Sequence, residues 1–270
     1  MTVDAATTDG SAAAAFRPDR SPLLWLAERE VLRFINIWQY TLVGPILAAV
    51  LFIVVFGTVL ARHVDTIGGV SYGQFIVPGL VTQAIVTVGF INGTTSLFEA
   101  RRDRYINDVF ASPLRWWEIN AALVIGGTVR GIIVGGGVLA VGLLLTGIGG
   151  VARPAVFVFG TIGVLLVSAQ IGVIAGSLAR SLDQLYAIDS VIVLPLAFLG
   201  GVFYSVDQLP GPADGFSRVN PIFWLVQVER IGLLGQGDVG AGAALVVVWT
   251  LAVLLTAGSA AIFGTDRLKA

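Results

Sequence analysis

Six stretches of this chain are each long and apolar enough to cross a lipid bilayer, and no other feature constrains its fold as much. A spanning helix needs about 20 mainly apolar residues, and in lipid its backbone groups must all be paired internally. The stretches run over Tyr40–Ala61, Phe75–Phe98, Ile119–Gly147, Ala155–Leu178, Ala187–Tyr204 and Ala241–Phe263. The fifth is short and carries Pro195 and a Gly200-Gly201 pair. Charged residues make up 12% of the chain. A water-soluble domain carries about 25%, and so few charges could not cover its surface. The ten-residue alternation of barrel strands is absent, and 34 glycines suit close helix contact in lipid. The expected class is therefore an all-α integral membrane protein with six transmembrane helices.

The same composition excludes several chemistries. With no cysteine and one histidine, a disulfide framework is impossible and a zinc, haem or iron–sulfur site lacks ligands. The single lysine is Lys269, so no Gly-x-x-x-x-Gly-Lys phosphate loop exists and ATP cannot be bound in that manner. A formal net charge of −1 gives nucleic acid no reason to bind. No metal site is expected, no catalytic residue is assigned, and His63 is given no role.

Lys and Arg beside the spans set orientation. Eleven fall on one side (Arg17, Arg20, Arg29, Arg33, Arg101, Arg102, Arg104, Arg115, Arg180, Arg267 and Lys269). Four fall on the other (Arg62, Arg153, Arg218 and Arg230), and Arg130 lies inside the third span. Both termini are thus expected in the cytoplasm, in agreement with an even number of spans.

Residues 1–21 are rich in Ala, Thr, Asp and Ser without an apolar run, and read as a disordered cytoplasmic tail rather than a signal peptide. Residues 22–39 differ. Leu24, Ala27, Val31, Phe34, Ile35 and Trp38 recur at helical spacing, with Glu28, Arg29, Glu30 and Arg33 opposite. That pattern predicts an amphipathic helix lying in the membrane interface, or else a cytoplasmic extension of the first span. Residues 40–270 form the six-span domain.

Two non-spanning segments carry information. The loop after the second span opens with the charged neck Glu99, Arg101 and Arg102, then runs Tyr105, Ile106, Asn107, Asp108, Val109, Phe110 and Ala111 before Pro113. Arginines there would set topology without further function. The apolar Tyr105, Val109 and Phe110 on a short helix ended by Pro113 point instead to a docked partner. The second segment, Ser205–Asp238, is too long for a connector. Asn220-Pro221 supplies an N-cap and a first-turn proline, and Gly235 can close the helix. Fourteen residues reach only about 21 Å, and Glu229-Arg230 would be costly at the bilayer centre. A re-entrant element is expected, either capping a pathway or sealing the bundle.

Arg130 lies thirteen residues beyond Trp117, about 20 Å along the axis if the helix is straight. Such a charge faces the bundle interior or lines a path. Asp189 and Glu99 are candidate partners, and a structural role is as consistent with the sequence as substrate contact. The surrounding glycines, Gly126, Gly127, Gly131, Gly135, Gly136 and Gly137, suggest a closely packed face or a subunit interface.

At these segments the chain resembles the ABC-2 type family of bacterial exporter permeases. The stretches that carry the likeness are Ala111–Ile119 (ASPLRWWEI), Pro195–Pro210 (PLAFLGGVFYSVDQLP), Asn220–Gly235 (NPIFWLVQVERIGLLG) and Tyr72–Gly79 (YGQFIVPG). It extends over about Pro22 to Leu268, and it is strongest toward permeases grouped with drug-resistance, nodulation-factor and polysaccharide export. The resemblance implies a chain that is not itself an enzyme, sits in the bacterial inner membrane and holds no cofactor. Two separate ABC ATPase subunits, binding ATP and Mg, would dock on a coupling helix at Tyr105–Ala111, on the amphipathic helix and on the loop Arg180–Tyr186. A second permease chain, in a homodimer or heterodimer, would complete the pathway. Spans one, two and five would line it, with Phe52, Phe56, Phe90, Phe198 and Phe203 as candidates. The order Arg102-Asp103-Arg104-Tyr105 departs from the glycine and acidic residues frequent in the family, so the likeness is looser at the ATPase contact. Exported substrates of amphiphilic character, whether drug, glycolipid or polysaccharide, suit the apolar bundle.

Readings from other classes find less support. An ion-gradient-driven secondary transporter would need mid-membrane relay groups beyond Arg130 and Asp189, and no inverted repeat is visible. An intramembrane enzyme would need a nucleophile with a base. A non-transporting membrane anchor for an ATPase fits the same sequence.

Overall fold

A computed structural model describes residues 21–59, 66–103 and 114–264. Helix α1 (Pro22–Ile35) is followed by a π-helical turn (Gln39–Val43) and α2 (Gly44–Val59). A two-residue-stranded hairpin, β1 (Thr66–Ile67) and β2 (Val70–Ser71), leads into α3 (Tyr72–Arg102). Then come α4 (Trp116–Thr146), α5 (Pro154–Leu178), α6 (Leu182–Ile188), a second π turn (Asp189–Val193) and α7 (Leu194–Leu199). Helices α8 (Gly211–Val219), α9 (Pro221–Leu234) and α10 (Ala241–Gly264) complete the order.

Six segments are long and apolar enough to span a membrane: Gln39–Gly57, Tyr72–Arg102, Trp116–Thr146, Pro154–Leu178, Leu182–Leu199 and Ala241–Phe263. The all-α membrane class and the number of spans agree with the sequence. The fifth span does not agree in register. It begins at Leu182, where Ser181 accepts a hydrogen bond from the Gln184 amide, and it stops at Leu199 because Gly201 turns the chain at φ +80°. Residues expected as the loop Arg180–Tyr186 are thus mostly helix, leaving only Ala179–Ser181 between α5 and α6.

Both π turns precede a proline. Pro45 and Pro195 lack the N–H that would pair with the carbonyl four residues back, and the helix widens there. The hairpin turn Gly68-Gly69 has both φ values positive, the geometry that two-residue hairpins favour.

Helix α3 is the axis of the bundle. Of its most apolar window, 78% is buried, against 17% for the first, fifth and sixth spans. It touches α2, α4, α5 and α9. The α3–α5 crossing is backbone against backbone: a Cβ on Gly93 would lie 2.6 Å from the Val173 amide nitrogen, and one on Gly172 2.6 Å from the Phe90 carbonyl. Only glycine permits that approach. The glycines of α4 are filled by this chain's own side chains. Glu30, Leu165, Ile85 and Ile46 press on Gly126, Gly131, Gly135 and Gly137, and only Gly136 in that run faces open space. The run serves internal packing in several directions at once, so a subunit interface is not needed to explain it.

Helix α1 packs on α4, burying Leu26, Ala27 and Phe34 together with the charged Glu30. Glu30 is 1% exposed and Phe34 2%, while Leu24, Trp25, Leu32 and Ile35 are all exposed. The sequence put Ala27 and Phe34 on the apolar face and Glu30 and Arg33 opposite it, whereas Ala27, Glu30 and Phe34 are buried together. The buried face cuts across the two that the spacing predicts, because Glu30 and Arg33 meet polar partners on α3.

Candidate functional site

At the end of the bundle where α9 sits, four of the five pathway phenylalanines come together. Phe52 and Phe56 on α2 lie 5.7 Å apart between ring centroids. Phe203, just past α7, lies 5.7 Å from Phe52 and 5.1 Å from Phe56, and Phe198 lies 5.3 Å from Phe203. These separations are those of interacting aromatic rings. Phe198 is exposed and the other three are half-buried, so the row presents an open aromatic side. Phe90 is not part of it. At 1% exposure it belongs to the core beside the α3–α5 crossing.

The Phe203 backbone is held by Tyr72, whose hydroxyl donates to its carbonyl at 3.0 Å. Tyr72 was passed over as a site residue, although it opens the Tyr72–Gly79 motif. Behind the row, α9 is wedged between α3, α5 and α10. Asn220 caps it by accepting from the Ile222 amide at 2.9 Å and donates to the Leu196 carbonyl of α7 at 2.6 Å. Pro221 starts the helix and Gly235, at φ +79°, ends it.

Arg230 on α9 is wholly buried. Its Nη2 donates to the Gly201 carbonyl at 2.6 Å, and its guanidinium carbon sits 4.0 Å above the Phe75 ring. Asp238 approaches Nη1 at 4.0 Å and accepts from Ser205 Oγ, the Val206 amide and Gln227 Nε2 at 2.6, 3.0 and 2.8 Å. Its own amide donates back to Gln227 Oε1. One carboxylate therefore ties the turn after the fifth span to α9 and to the chain leading into α10. Neither Gln227 nor Asp238 was singled out by the sequence, because 32 residues separate Asp238 from Val206. Glu229 is fully buried, its two carboxyl oxygens accept no hydrogen bond within geometric limits among the described residues, and Thr161 faces it. On α8, Arg218 bonds Asp214 and Asp207, and the Asp214 bond in particular raises its pKa above the usual guanidinium value.

The opposite end of the bundle holds the neck charges. Arg33 of α1 donates to Glu99, Thr95 and both oxygens of Asn92 at 3.1–3.3 Å. Its Nε lies 3.5 Å from Glu30, which also accepts from Ser96 Oγ at 2.6 Å. Arg101 donates to Ser177 O at 3.1 Å, to Ala179 O at 2.9 Å and to Gly176 O. Arg102 pairs with exposed Asp103. Tyr105, Ile106, Asn107, Asp108, Val109, Phe110 and Ala111 lie outside the described residues.

Arg130 pairs with neither Asp189 nor Glu99. Glu99 is engaged by Arg33, and Asp189 makes no ion pair among the described residues. Arg130 Nη2 instead donates to the Thr41 carbonyl at 3.2 Å. Thr41 stands four residues before Pro45, so the arginine supplies the donor that the proline lacks. Thr41 is two residues past the start of the first candidate span, so this bond ties α4 to the opening of that span. Helix α4 also packs alongside α1.

Residues 22–234 match the family model described as ABC-2 type transporter. The chain belongs to the ABC-2 type transporter family. It is 34% identical over 223 residues to "Inner membrane transport permease YadH" of Escherichia coli strain K12, covering 80% of this chain and 86% of that protein. It is 25% identical over 233 residues to "Nodulation protein J" of Rhizobium meliloti strain 1021, covering 81% and 84%. As an ABC-2 chain with six candidate spans, it is a transmembrane subunit of an ABC transporter. The matched region runs from α1 through α9 and so holds the aromatic row and the neck charges, while Asp238 lies just past it.

Proposed function

We propose that this chain is the permease subunit of an ATP-driven exporter in a bacterial inner membrane, moving an amphiphilic molecule out of the cytoplasm. ATP and Mg are bound by separate ABC ATPase subunits, two per complex, and a second permease chain faces this one. Both termini and the α1 end lie in the cytoplasm, with the α9 end outside. Helix α1 rests in the interface with its apolar side toward lipid, and α8–α9 form the re-entrant cap.

The observation that carries this reading is the aromatic row. In a family defined by transport, Phe52 and Phe56 on the first span, Phe198 on the fifth and Phe203 just past it form one row, and these two spans are, with the sixth, the least covered in this chain. An open aromatic side suits an amphiphilic passenger or a partner chain that shares the path. The absence of a phosphate loop in the sequence agrees with an ATPase on another polypeptide.

ATP-driven closure of the ATPase pair would push on residues 104–113 and shift the joined second and third spans as rigid bodies. Purification from the native membrane in mild detergent tests the assignment. A stoichiometric P-loop ATPase in the preparation is the expected result. A permease that is free of ATPase and still active under an ion gradient would replace this reading with secondary transport.

A further inference from the structure

The last three turns of α3, which lead into residues 104–113, are bonded on both flanks. On one flank Arg33 of α1 bonds Asn92, Thr95 and Glu99. On the other, Arg101 reaches the C-terminal end of α5, where Gly176, Ser177 and Ala179 carbonyls converge on its guanidinium. Helix α5 has no basic residue in its own last turn. Its final carbonyls, the negative end of the helix dipole, are answered by a cation from a different helix. A rigid planar fork with five donors can engage several carbonyls around a helix end at once. Only Ala179–Ser181 then separate α5 from α6, the start of the fifth span.

Resting on the exporter reading, we propose that Arg101 is a positioning residue for transport, joining the ATPase-driven end of α3 and the α5–α6 corner into one body. A displacement delivered at 104–113 then reaches the fifth span directly, and with it Phe198 and Phe203. Arg33 adds α1 to the same body. An arginine that merely capped α5 would stabilise the fold without making these two ends move together.

The test uses the full chain assembled with its ATPase in nanodiscs. The chain has no cysteine, so introduced thiols are the only ones it carries. Cysteines replace the exposed Arg102 and Arg180, and a short bifunctional thiol reagent is applied with ADP and with ATP plus vanadate. With Arg101 present, cross-linking yield should be equal in the two states. In Arg101→Gln it should differ at least threefold while the ATPase stays bound at the same ratio. Arg101→Lys should restore equality, since an ammonium also donates to carbonyls. Equal yields in Arg101→Gln, or unequal yields with Arg101 intact, overturn the proposal. Should Arg101→Gln fail to assemble, the pair with Arg101 intact decides alone. A separate reporter, Phe216→Cys on exposed α8, tests the underlying reading. If ATP leaves its maleimide labelling rate unchanged in the otherwise unaltered chain, the exporter assignment itself is wrong.

Discussion

Adding one methyl group at Gly172 should loosen the whole bundle, whereas the same addition at Gly136 should not. A Cβ at Gly172 would stand 2.6 Å from the Phe90 carbonyl, and ordinary contact begins at 3.4 Å, so α3 and α5 must part by the difference, 3.4 − 2.6 = 0.8 Å. A radial gap of about 0.5–1 Å forfeits a quarter to a half of each contact's dispersion energy. The partners here are backbone atoms of the most buried helix, which cannot rotate aside. Overpacking of this kind costs about 1–3 kcal/mol. Gly136→Ala meets nothing within 4 Å. Both changes gain the same helix propensity, about 1 kcal/mol, so their difference isolates the crossing. Gly172→Ala is expected to fall about 1–3 kcal/mol below Gly136→Ala, measured by denaturant titration of the purified protein in mixed micelles. Gly93→Ala should behave like Gly172→Ala, and the double variant should cost less than the sum because one separation accommodates both. Equal stability of Gly172→Ala and Gly136→Ala would refute the backbone-contact argument.

Other consequences can be checked in the same way. Arg130→Met should cost about 1–3 kcal/mol by leaving the Thr41 carbonyl without its donor. The loss should shrink when Pro45→Ala restores the backbone N–H, in a double-mutant cycle of thermal unfolding. Asp238→Ala strips three donors of their acceptor. It should lower stability by about 1–3 kcal/mol and make the chain between α7 and α8 more sensitive to limited proteolysis. Phe90→Ala should destabilise by about 3–5 kcal/mol as a core cavity. Phe56→Ala should change transport or inhibitor protection more than it changes melting. Replacing Val109 and Phe110 together by Asp should abolish ATPase co-purification while the permease still inserts, and normal co-purification would displace the docking surface.

The spans were legible because lipid imposes a length and a composition that few other settings do. Their ends were less so. The sequence puts the start of the fifth span several residues late because Asp183-Gln184 is polar, although Ser181 caps a helix of about two turns that leads into the apolar run. The capping signals at Asn220 and Gly235 could be read because a local hydrogen bond and a positive φ leave a local mark. The partners of Arg130, Arg101 and Asp238 could not, since each reaches a backbone atom or a side chain 11 to 89 residues away. A main-chain carbonyl leaves no trace in composition, so a search for charge partners sent Arg130 toward carboxylates it never meets. Pro45 was the available clue: a proline inside a span frees a carbonyl that some donor must answer.

The buried Glu30 of α1 and its neighbour Arg33 have a consequence for biogenesis. Arg33 leaves the ribosome 66 residues before Glu99, its partner on α3. At about 5–20 residues per second, α1 exists for several seconds before that partner is made. During that interval Glu30 and Arg33 have only each other and water, while Leu24, Trp25 and Ile35 already favour the lipid surface. Glu30 and Arg33 therefore gain their partners Ser96 and Glu99 only once α3 has been made. The final packing of α1 thus depends on a helix synthesised well after it.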